Sequence, residues 1–204
     1  MDDDLALLDR WCAGDEAAGN ALFKRYFDAI YRFFEHKVDR EADELVQDTF
    51  LACLKSRDSF RRQSSFRTYL FAIARHILYG HLRKAVGQRA TFDHDSISIA
   101  SLSTSAGSRL ARGEDRARLL AALRQLPVEQ QLLLELHYWE QLDRDQLAEV
   151  FDVAEATTRS RLFRARQALR DALAAAAGHP VRARSDDDLD AWARALAVDA
   201  PAGQ

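Results

Sequence analysis

Five side chains between residues 159 and 167 carry groups suited to nucleic acid and fall on one face of a predicted helix. They are Arg159, Ser160, Phe163, Arg164 and Gln167. Guanidinium groups bind guanine edges or phosphates, and a hydroxyl, an amide and a ring add further base contacts. Arg161, Arg166 and Arg170 flank this face and suit backbone phosphates. The pattern predicts a DNA-contacting helix, and a charged helix that packs on a protein is the alternative.

A helix-turn-helix is the element that positions this face. Residues 143–151 predict a short helix with Leu147 and Val150 inward, and residues 151–153 form a tight connection. A longer helix follows from about Glu155 to Ala174. Its predicted inward face consists of Thr158, Leu162, Ala165 and Leu169. This motif lays its second helix in the major groove of DNA.

A second set of cations and rings lies in residues 55–90, which carry a net charge of +8 in a chain of −3. Residues 154–171 carry +3, whereas residues 1–54 carry −7, so two basic islands stand in an acidic background. Two islands indicate two separate phosphate-binding surfaces, and two solvated helix faces are the alternative. Opening a duplex requires cations along the freed strand and pockets for its bases. The candidates are Phe60, Arg61, Arg62, Arg67, Arg75, His76, Tyr79, Arg83 and Lys84.

Composition and periodicity predict an all-α protein of two small helical domains joined by a flexible linker. The chain has 3 Pro and 8 Gly in 204 residues, and apolar residues recur at helical spacing. We predict a helical bundle over 5–85, a Ser- and Gly-rich linker over 86–113 and the helix-turn-helix domain over 114–177. Residues 178–204 are either a disordered end or a short docking helix that uses Leu189, Trp192, Leu196 and Val198.

Several function classes are excluded by what the sequence lacks. It has no membrane-length apolar run and no secretory signal, which favours a cytoplasmic protein without membrane insertion. Cys12 and Cys53 have no metal-ligand spacing, and the six His share no face. With no Gly-rich phosphate loop and no nucleophile elbow either, we expect no metal, no cofactor, no catalytic residue and no enzyme activity.

Three segments resemble a known family. The segment from Leu126 to Arg170 is similar to region 4 of sigma-70 family sigma factors of the extracytoplasmic-function (ECF) group, and TTRSRLFRARQALR is its strongest match. EADELVQDTFLACLK (41–55) and SSFRTYLFAIARHILYGHLRK (64–84) resemble parts of region 2. The resemblance covers about residues 10–175, with both regions in the family's order.

The resemblance implies a subunit that binds core RNA polymerase and directs promoter-specific initiation. Region 4 would recognise −35 duplex DNA, and region 2 would melt and capture the −10 element. The 41–55 helix would dock on the clamp coiled coil of the large polymerase subunit, whose flap is a second contact. Its docking residues would be Asp43, Glu44, Gln47, Asp48 and Leu51, with Val46, Phe50 and Leu54 toward the bundle. An anti-sigma factor is a further candidate partner.

Two other functions are alternatives to a polymerase subunit. They are a stand-alone helix-turn-helix regulator and a protein-interaction module.

The chain departs from the usual family sequence at several positions. The family usually has Trp-Leu at Tyr69-Leu70, and Asn at His76, where His can still donate and accept a hydrogen bond. It usually has Gly at Asp152, and Asp tolerates the left-handed conformation. It usually has a Ser cap at Ala154, which cannot cap, at a cost of about 1 kcal/mol.

Overall fold

The computed structural model describes residues 2–38, 40–60, 62, 64–86, 93, 95–102, 114–177 and 193. Over these residues every regular element is a helix, which confirms the predicted all-α class. The chain divides into two compact units. The first holds the residues up to Leu82 together with Glu149–Asp152, and the second holds the remainder. None of the described helices is long and apolar enough to cross a membrane.

The first unit is built from α1 (Asp2–Cys12), α2 (Glu16–Glu35), α3 (Ala42–Ser56), a 3-10 turn (Arg57–Ser59) and most of α4 (Phe66–Val86). Local signals in the sequence mark where these helices begin. The Asp15 carboxylate accepts hydrogen bonds from Ala17 N and Ala18 N, at 3.0 and 3.2 Å, and so caps α2. Ser65 Oγ accepts from Thr68 N at 3.0 Å and caps α4 in the same way.

Helix α1 approaches α2 closely where Trp11 meets Gly19. A Cβ atom added to Gly19 would lie 2.5 Å from Trp11 Nε1, so the indole occupies the space that any other residue would need. The Arg57 guanidinium lies over the Trp11 ring, 4.9 Å from its centroid. Aromatic rings from α2, α3 and α4 fill the rest of this core, including Phe34, Phe66 and Phe71.

The second unit contains α5 (Ile99–Leu102), α6 (Glu114–Gln125), α7 (Val128–Tyr138), α9 (Glu155–Ala177) and most of α8 (Arg144–Phe151). Asp143 and Gln146 cap α8 reciprocally, with Gln146 N donating to Asp143 Oδ1 at 2.9 Å and Asp143 N to Gln146 Oε1 at 3.0 Å. The turn before α9 places Asp152 at φ 55°, which confirms that Asp takes the left-handed position. Pro127 is the N-cap of α7, directly before its first helical residue, Val128.

Part of the predicted linker is packed. Ile99 is buried, Val128 N donates to Ile97 O at 2.8 Å, and Ser98 forms an isolated bridge with Pro127. The tether prediction is therefore wrong for residues 95–102, because alternating isoleucines give even a Ser-rich segment something to bury. Residues 87–92 and 103–113 lie outside the described residues, as does the predicted tail helix apart from Ala193.

Candidate nucleic-acid interface

Helix α9 separates a buried face from an exposed face, as its sequence predicts. Thr158, Leu162, Ala165 and Leu169 are buried. The five predicted base-contacting residues, Arg159, Ser160, Phe163, Arg164 and Gln167, are all exposed. Phe163 retains 63% of its accessible surface, a large exposure for an apolar ring on a well-packed helix. This face therefore offers two guanidinium groups, a hydroxyl, an amide and a ring to a partner.

Arg161 and Arg166 contact α7 instead of lying free on the flank of α9. Arg161 donates to the Glu129 carboxylate, which is 3% exposed. Arg166 Nε donates to Tyr138 Oη at 2.8 Å, and Arg166 Nη2 lies 3.2 Å from His137 Nε2. Both guanidinium groups are therefore held against α7 while part of each stays exposed, and their predicted contact with DNA phosphates stays a prediction. Each guanidinium group donates a hydrogen bond to a buried polar group of α7. The two arginines therefore fix the rotation of α9 about its own axis.

One acidic residue links the exposed face of α9 to α8. The Glu155 carboxylate lies 3.5 Å from Arg159 Nη2 and 3.8 Å from Arg144 Nη1. Arg144 is a candidate DNA contact that the sequence reasoning missed, although its place at the start of the first helix of the motif was a usable signal. The Arg144 and Arg159 side chains are more than half exposed and that of Glu155 is 37% exposed, so the three form a surface network that a phosphate can compete for.

The candidate residues for strand capture differ in exposure. His76, Arg83 and Lys84 on α4 are exposed, and so is Arg62, which has φ 57° and pairs with Asp9. Phe60 is half-buried, with its ring centroid 4.5 Å from that of Tyr69. Arg61 lies outside the described residues.

Two half-buried arginines of α4 lie against rings of the same helix, and one predicted ring is in the core. The Arg67 and Arg75 guanidinium carbons lie 5.7 and 5.4 Å from the centroids of Phe71 and Tyr79. Tyr79 itself is only 8% exposed, which corrects its predicted role in stacking on a base. Tyr69 is half-buried, its hydroxyl lies 2.5 Å from Ser56 Oγ, and burial raises its pKa.

The predicted docking residues on α3 form one exposed strip. Asp43, Glu44, Gln47, Asp48 and Leu51 are all exposed. Val46 and Phe50 are buried as predicted, but Leu54 is 41% exposed and the prediction for it is wrong. The neighbouring Cys53 takes the inward position, and burial raises its pKa to about 12. Leu54 is therefore turned about 100° away from the core.

Helix α2 extends this strip with aromatic surface that the sequence reasoning missed. Phe27 is 46% exposed and stacks on Phe50 with an interplanar angle of 7°. Tyr31 stacks on Phe27 at 6.3 Å, and burial, followed by the charges of Asp43 and Glu35, raises the pKa of Tyr31. The resulting patch mixes carboxylates with apolar and aromatic side chains. The sequence feature that could have predicted this patch is Phe27, an aromatic residue outside the core-facing spacing of α2.

Among the described residues, no group of three or more His, Cys, Asp or Glu side chains could hold a metal ion. The comparisons with known proteins agree with both helical units. A family profile described as Sigma-70 region 2 matches residues 22–87, and one described as Sigma-70, region 4 matches residues 116–169. The two profiles together cover more than half of the chain.

Relatives and solved structures match most of the chain. The ECF RNA polymerase sigma-E factor of Escherichia coli (strain K12) is 27% identical over 175 residues, which cover 81% of this chain and 92% of the relative. CnrH, solved in complex with the cytosolic domain of CnrY, has a TM-score of 0.63 at 22% identity and covers 85% of this chain and 98% of its own. The sigma factor RpoE of Bartonella quintana, solved with the anti-sigma factor NepR, has a TM-score of 0.60 at 23% identity, covering 76% of this chain and 95% of its own.

The two structural likenesses establish the shared fold. The profiles add the order of the two regions along this chain, region 2 first and region 4 second. The chain belongs to the sigma-70 family of RNA polymerase sigma factors, in its extracytoplasmic-function group.

Proposed function

We propose that this sigma factor binds core RNA polymerase through α2 and α3, recognises −35 duplex DNA with α9 and captures the −10 strand with α4. The observation that carries the proposal is the division of α9, whose exposed face holds base-contacting groups while its other face is buried. In domain terms, residues 5–85 contact polymerase and the −10 element, and residues 114–177 contact the −35 element.

The −35 role rests on the chemistry of the exposed α9 face. Arg159 and Arg164 suit guanine O6 and N7, and Ser160 and Gln167 suit other base edges. Phe163 suits the methyl group of thymine, because an exposed ring gains by covering apolar surface. Arg144, at the start of α8, suits a phosphate beside the groove.

The −10 role rests on α4 and on the residues just before it. Arg62, Arg83 and Lys84 are exposed cations that would follow the backbone of the freed strand, and His76 offers a donor and an acceptor for a base edge. Phe60 and Tyr69 would supply a partly exposed aromatic surface for a base. Arg61 belongs to this proposal on sequence grounds alone.

The polymerase role rests on the mixed acidic and aromatic patch of α2 and α3. Carboxylates complement a basic partner and steer its approach, and exposed rings supply apolar area once the surfaces meet. A stand-alone regulator would need only the helix-turn-helix, so this patch and the region 2 match favour a polymerase subunit. As such a subunit, the chain supplies binding energy while the polymerase performs the chemistry.

Two further elements of the proposal concern where and with whom the protein acts. We place it in the cytoplasm, where its polymerase and promoter DNA are found. We also propose an anti-sigma factor as a regulator, because the neighbour from Bartonella quintana was solved with one.

The test is run-off transcription with core polymerase on a genomic promoter library. Adding the factor should give transcripts from discrete promoters. Asp48→Lys should lower transcription about tenfold at limiting factor, because it places a cation against a basic partner, a charge reversal that costs on the order of 1–2 kcal/mol. Excess Asp48→Lys factor should restore the transcripts.

Asp28→Lys is the matched control. Asp28 is equally an exposed aspartate, and it lies about 100° around α2 from Phe27. This variant should transcribe as the unmodified factor does. A complete lack of transcripts across the library would defeat the proposed function, and equal losses in both variants would defeat the assignment of the patch.

A further inference from the structure

Glu155 is the first residue of α9, and its carboxylate lies between two arginines that come from different helices. One oxygen, Glu155 Oε1, lies 3.5 Å from Arg159 Nη2 and 3.8 Å from Arg144 Nη1. Arg159 is one turn further along α9, whereas Arg144 is the first residue of α8. A single carboxylate therefore links the start of α9 to the start of the helix before it.

The contact with Arg159 restricts where that guanidinium group can lie. Helical side chains lean toward the N-terminus of their helix, so residues four apart meet, and an acidic residue that precedes its cation is the favourable order. The pair therefore holds the Arg159 guanidinium group near the N-terminal turn of α9. In a helix-turn-helix, the N-terminal residues of the second helix contact base edges. Without the pair, the long arginine side chain would be free to reach phosphates as well.

The charge of Glu155 opposes binding to DNA of arbitrary sequence. The three side chains together carry a charge of +1, whereas the two arginines alone would carry +2. Phosphate contacts are the same at every sequence, so a local anion weakens binding everywhere. A contact between Arg159 and a base edge adds affinity only at the correct sequence. Specificity is a difference of affinities, so a repulsive group can raise it as well as an attractive one.

Fold stability alone does not account for this arrangement. A carboxylate in the first turn of a helix is favoured by the helix dipole, and Glu155 would have this benefit without any arginine beside it. The two ion pairs add little to the fold, because water reaches all three side chains. The pairs are better explained by their effect on the two arginines than by their effect on α9.

We propose that Glu155 is a positioning residue that determines −35 specificity. It orients Arg159 toward a base edge, and it lowers the affinity of Arg144 and Arg159 for phosphates of any sequence. The proposal rests on the −35 role proposed above for α9. Removal of the carboxylate should therefore give a factor that binds DNA more tightly but distinguishes promoters less well.

Glu155→Gln tests this proposal, with holoenzyme binding measured on promoters that carry each single substitution in the −35 element. Arg159→Ala first identifies the base pair that Arg159 contacts, as the one whose substitution no longer weakens binding. At that base pair, Glu155→Gln should lower the discrimination at least about threefold. On all sequences it should raise affinity and steepen the slope of log K against log salt by up to about 1, because one opposing charge is gone.

Asp145→Asn is the matched control. Asp145 is an exposed carboxylate in the first turn of α8, directly after Arg144. Its loss changes the charge by the same amount, and base discrimination should stay as in the unmodified factor. In the Arg159→Ala background, Glu155→Gln should have no further effect on discrimination, because the two residues act as a unit.

The other outcomes are also decisive. A loss of discrimination that persists in the Arg159→Ala background would mean that Glu155 contacts a base itself, and it would overturn the positioning role. An equal loss in Asp145→Asn would overturn it too. If Glu155→Gln lowers the thermal stability of the factor, Glu155→Asp decides, because the shorter side chain keeps the charge on the first turn but withdraws it from Arg159. Lower discrimination with an unchanged salt slope then supports the proposal, and unchanged discrimination overturns it.

Failure of this inference and failure of the proposed function give different results. A −35 preference in the unmodified factor that Glu155→Gln leaves intact would overturn this inference alone. A complete lack of −35 preference in the unmodified factor would overturn the proposed −35 role of α9 together with it.

Discussion

Arg164 is the residue for which a base contact and a phosphate contact can be separated most clearly. It is exposed on α9, and its Nε atom lies 3.4 Å from the Ser160 carbonyl oxygen of its own helix. Both of its Nη groups therefore remain directed away from the backbone contact. A guanidinium placed in this way can bind O6 and N7 of one guanine, or it can bind a phosphate of either strand.

We predict that Arg164→Ala weakens binding to −35 duplex DNA by about 1–3 kcal/mol, and that the loss is confined to sequences that keep one preferred base pair. Holoenzyme binding should be measured on promoters that carry each single substitution in the −35 element. Arg118→Ala, the loss of an equal charge on α6, should change no base preference. A uniform loss across all sequences with a shallower salt dependence would mean that Arg164 contacts only phosphate.

At the scale of single residues, the sequence predicts which face of α9 is inward. It does not predict which of its arginines form contacts with α7. The burial of Leu162 and Leu169 is predicted from their helical spacing. Arg161 looks equivalent to Arg164 by type and by neighbourhood, and only the position of Glu129 on another helix makes it different. The burial of Tyr79 is hidden for a similar reason, because rings suit both a core and a base-binding surface.

Helices α7 and α9 are joined by polar contacts as well as apolar ones. Glu129 is buried at the start of α7, and its partner Arg161 is 27% exposed. Nearby on α7, Gln131 Nε2 donates to Glu135 Oε1 at 2.8 Å, so a second buried carboxylate also has a hydrogen-bond partner within the unit. A buried carboxylate without a partner is energetically costly, so α9 is favoured in the one rotation that brings Arg161 to Glu129. Apolar packing alone would select this rotation less strictly.

We predict that Arg161→Met lowers the free energy of unfolding by about 2–3 kcal/mol, less than the usual loss for breaking a fully buried pair, because water reaches part of the arginine. Adding Glu129→Gln to that variant should recover about half of the loss, because the stranded charge is then removed. Urea unfolding followed by circular dichroism measures both effects. A single variant no less stable than the double variant would show that the pair contributes nothing.

At the scale of elements, the strength of the periodic signal decides what can be predicted. The α8–α9 motif has inward residues at every expected turn, and its observed bounds begin within one residue of those predicted. Helix α5 has only four residues, and the chain just before it accepts a hydrogen bond at Ile97 O from Val128 N, a contact that no local pattern reveals. The prediction for Leu54 fails for a related reason. Whether Cys53 or Leu54 faces inward depends on the neighbouring helices.

Charge is distributed over the whole molecule in a way that the net value conceals. The total of −3 joins a basic α4 segment, a basic α9 segment and acidic residues over most of the remainder. Exposed carboxylates on α3 suit a protein partner, and they also keep that surface from binding DNA. The separation gives one chain of moderate net charge two different kinds of binding surface.

We predict that Lys84→Gln weakens binding to promoter DNA with an open −10 region equally for all sequences, and that it reduces the slope of log K against log salt by about 1. Lys24→Gln, at an exposed position on α2, should leave the slope unchanged. The measurement is a salt titration of holoenzyme binding to fork-shaped promoter DNA. An unchanged slope in the Lys84 variant would remove that residue from the proposed strand path.

At the scale of the whole molecule, the order of the two units and their charges follow from the sequence, since both depend on counting residues along the chain. The burial of Ala193 does not, because an alanine in a polar tail carries no local sign of a distant groove. Ala193 lines an apolar site with Leu119 and Leu123 of α6 and Leu169 of α9, residues that are distant from it in the sequence.

The complete separation of the two faces of α9 has an evolutionary consequence. The α9 residues that hold this helix on the domain, such as Leu162, Leu169 and Arg161, are different from those of its exposed face. Mutations at positions 159, 160, 163 and 164 can therefore accumulate with little loss of fold stability. A duplicated copy of this gene could drift toward a new set of promoters while its protein still folds, and an engineer could retarget it by randomising those four codons alone.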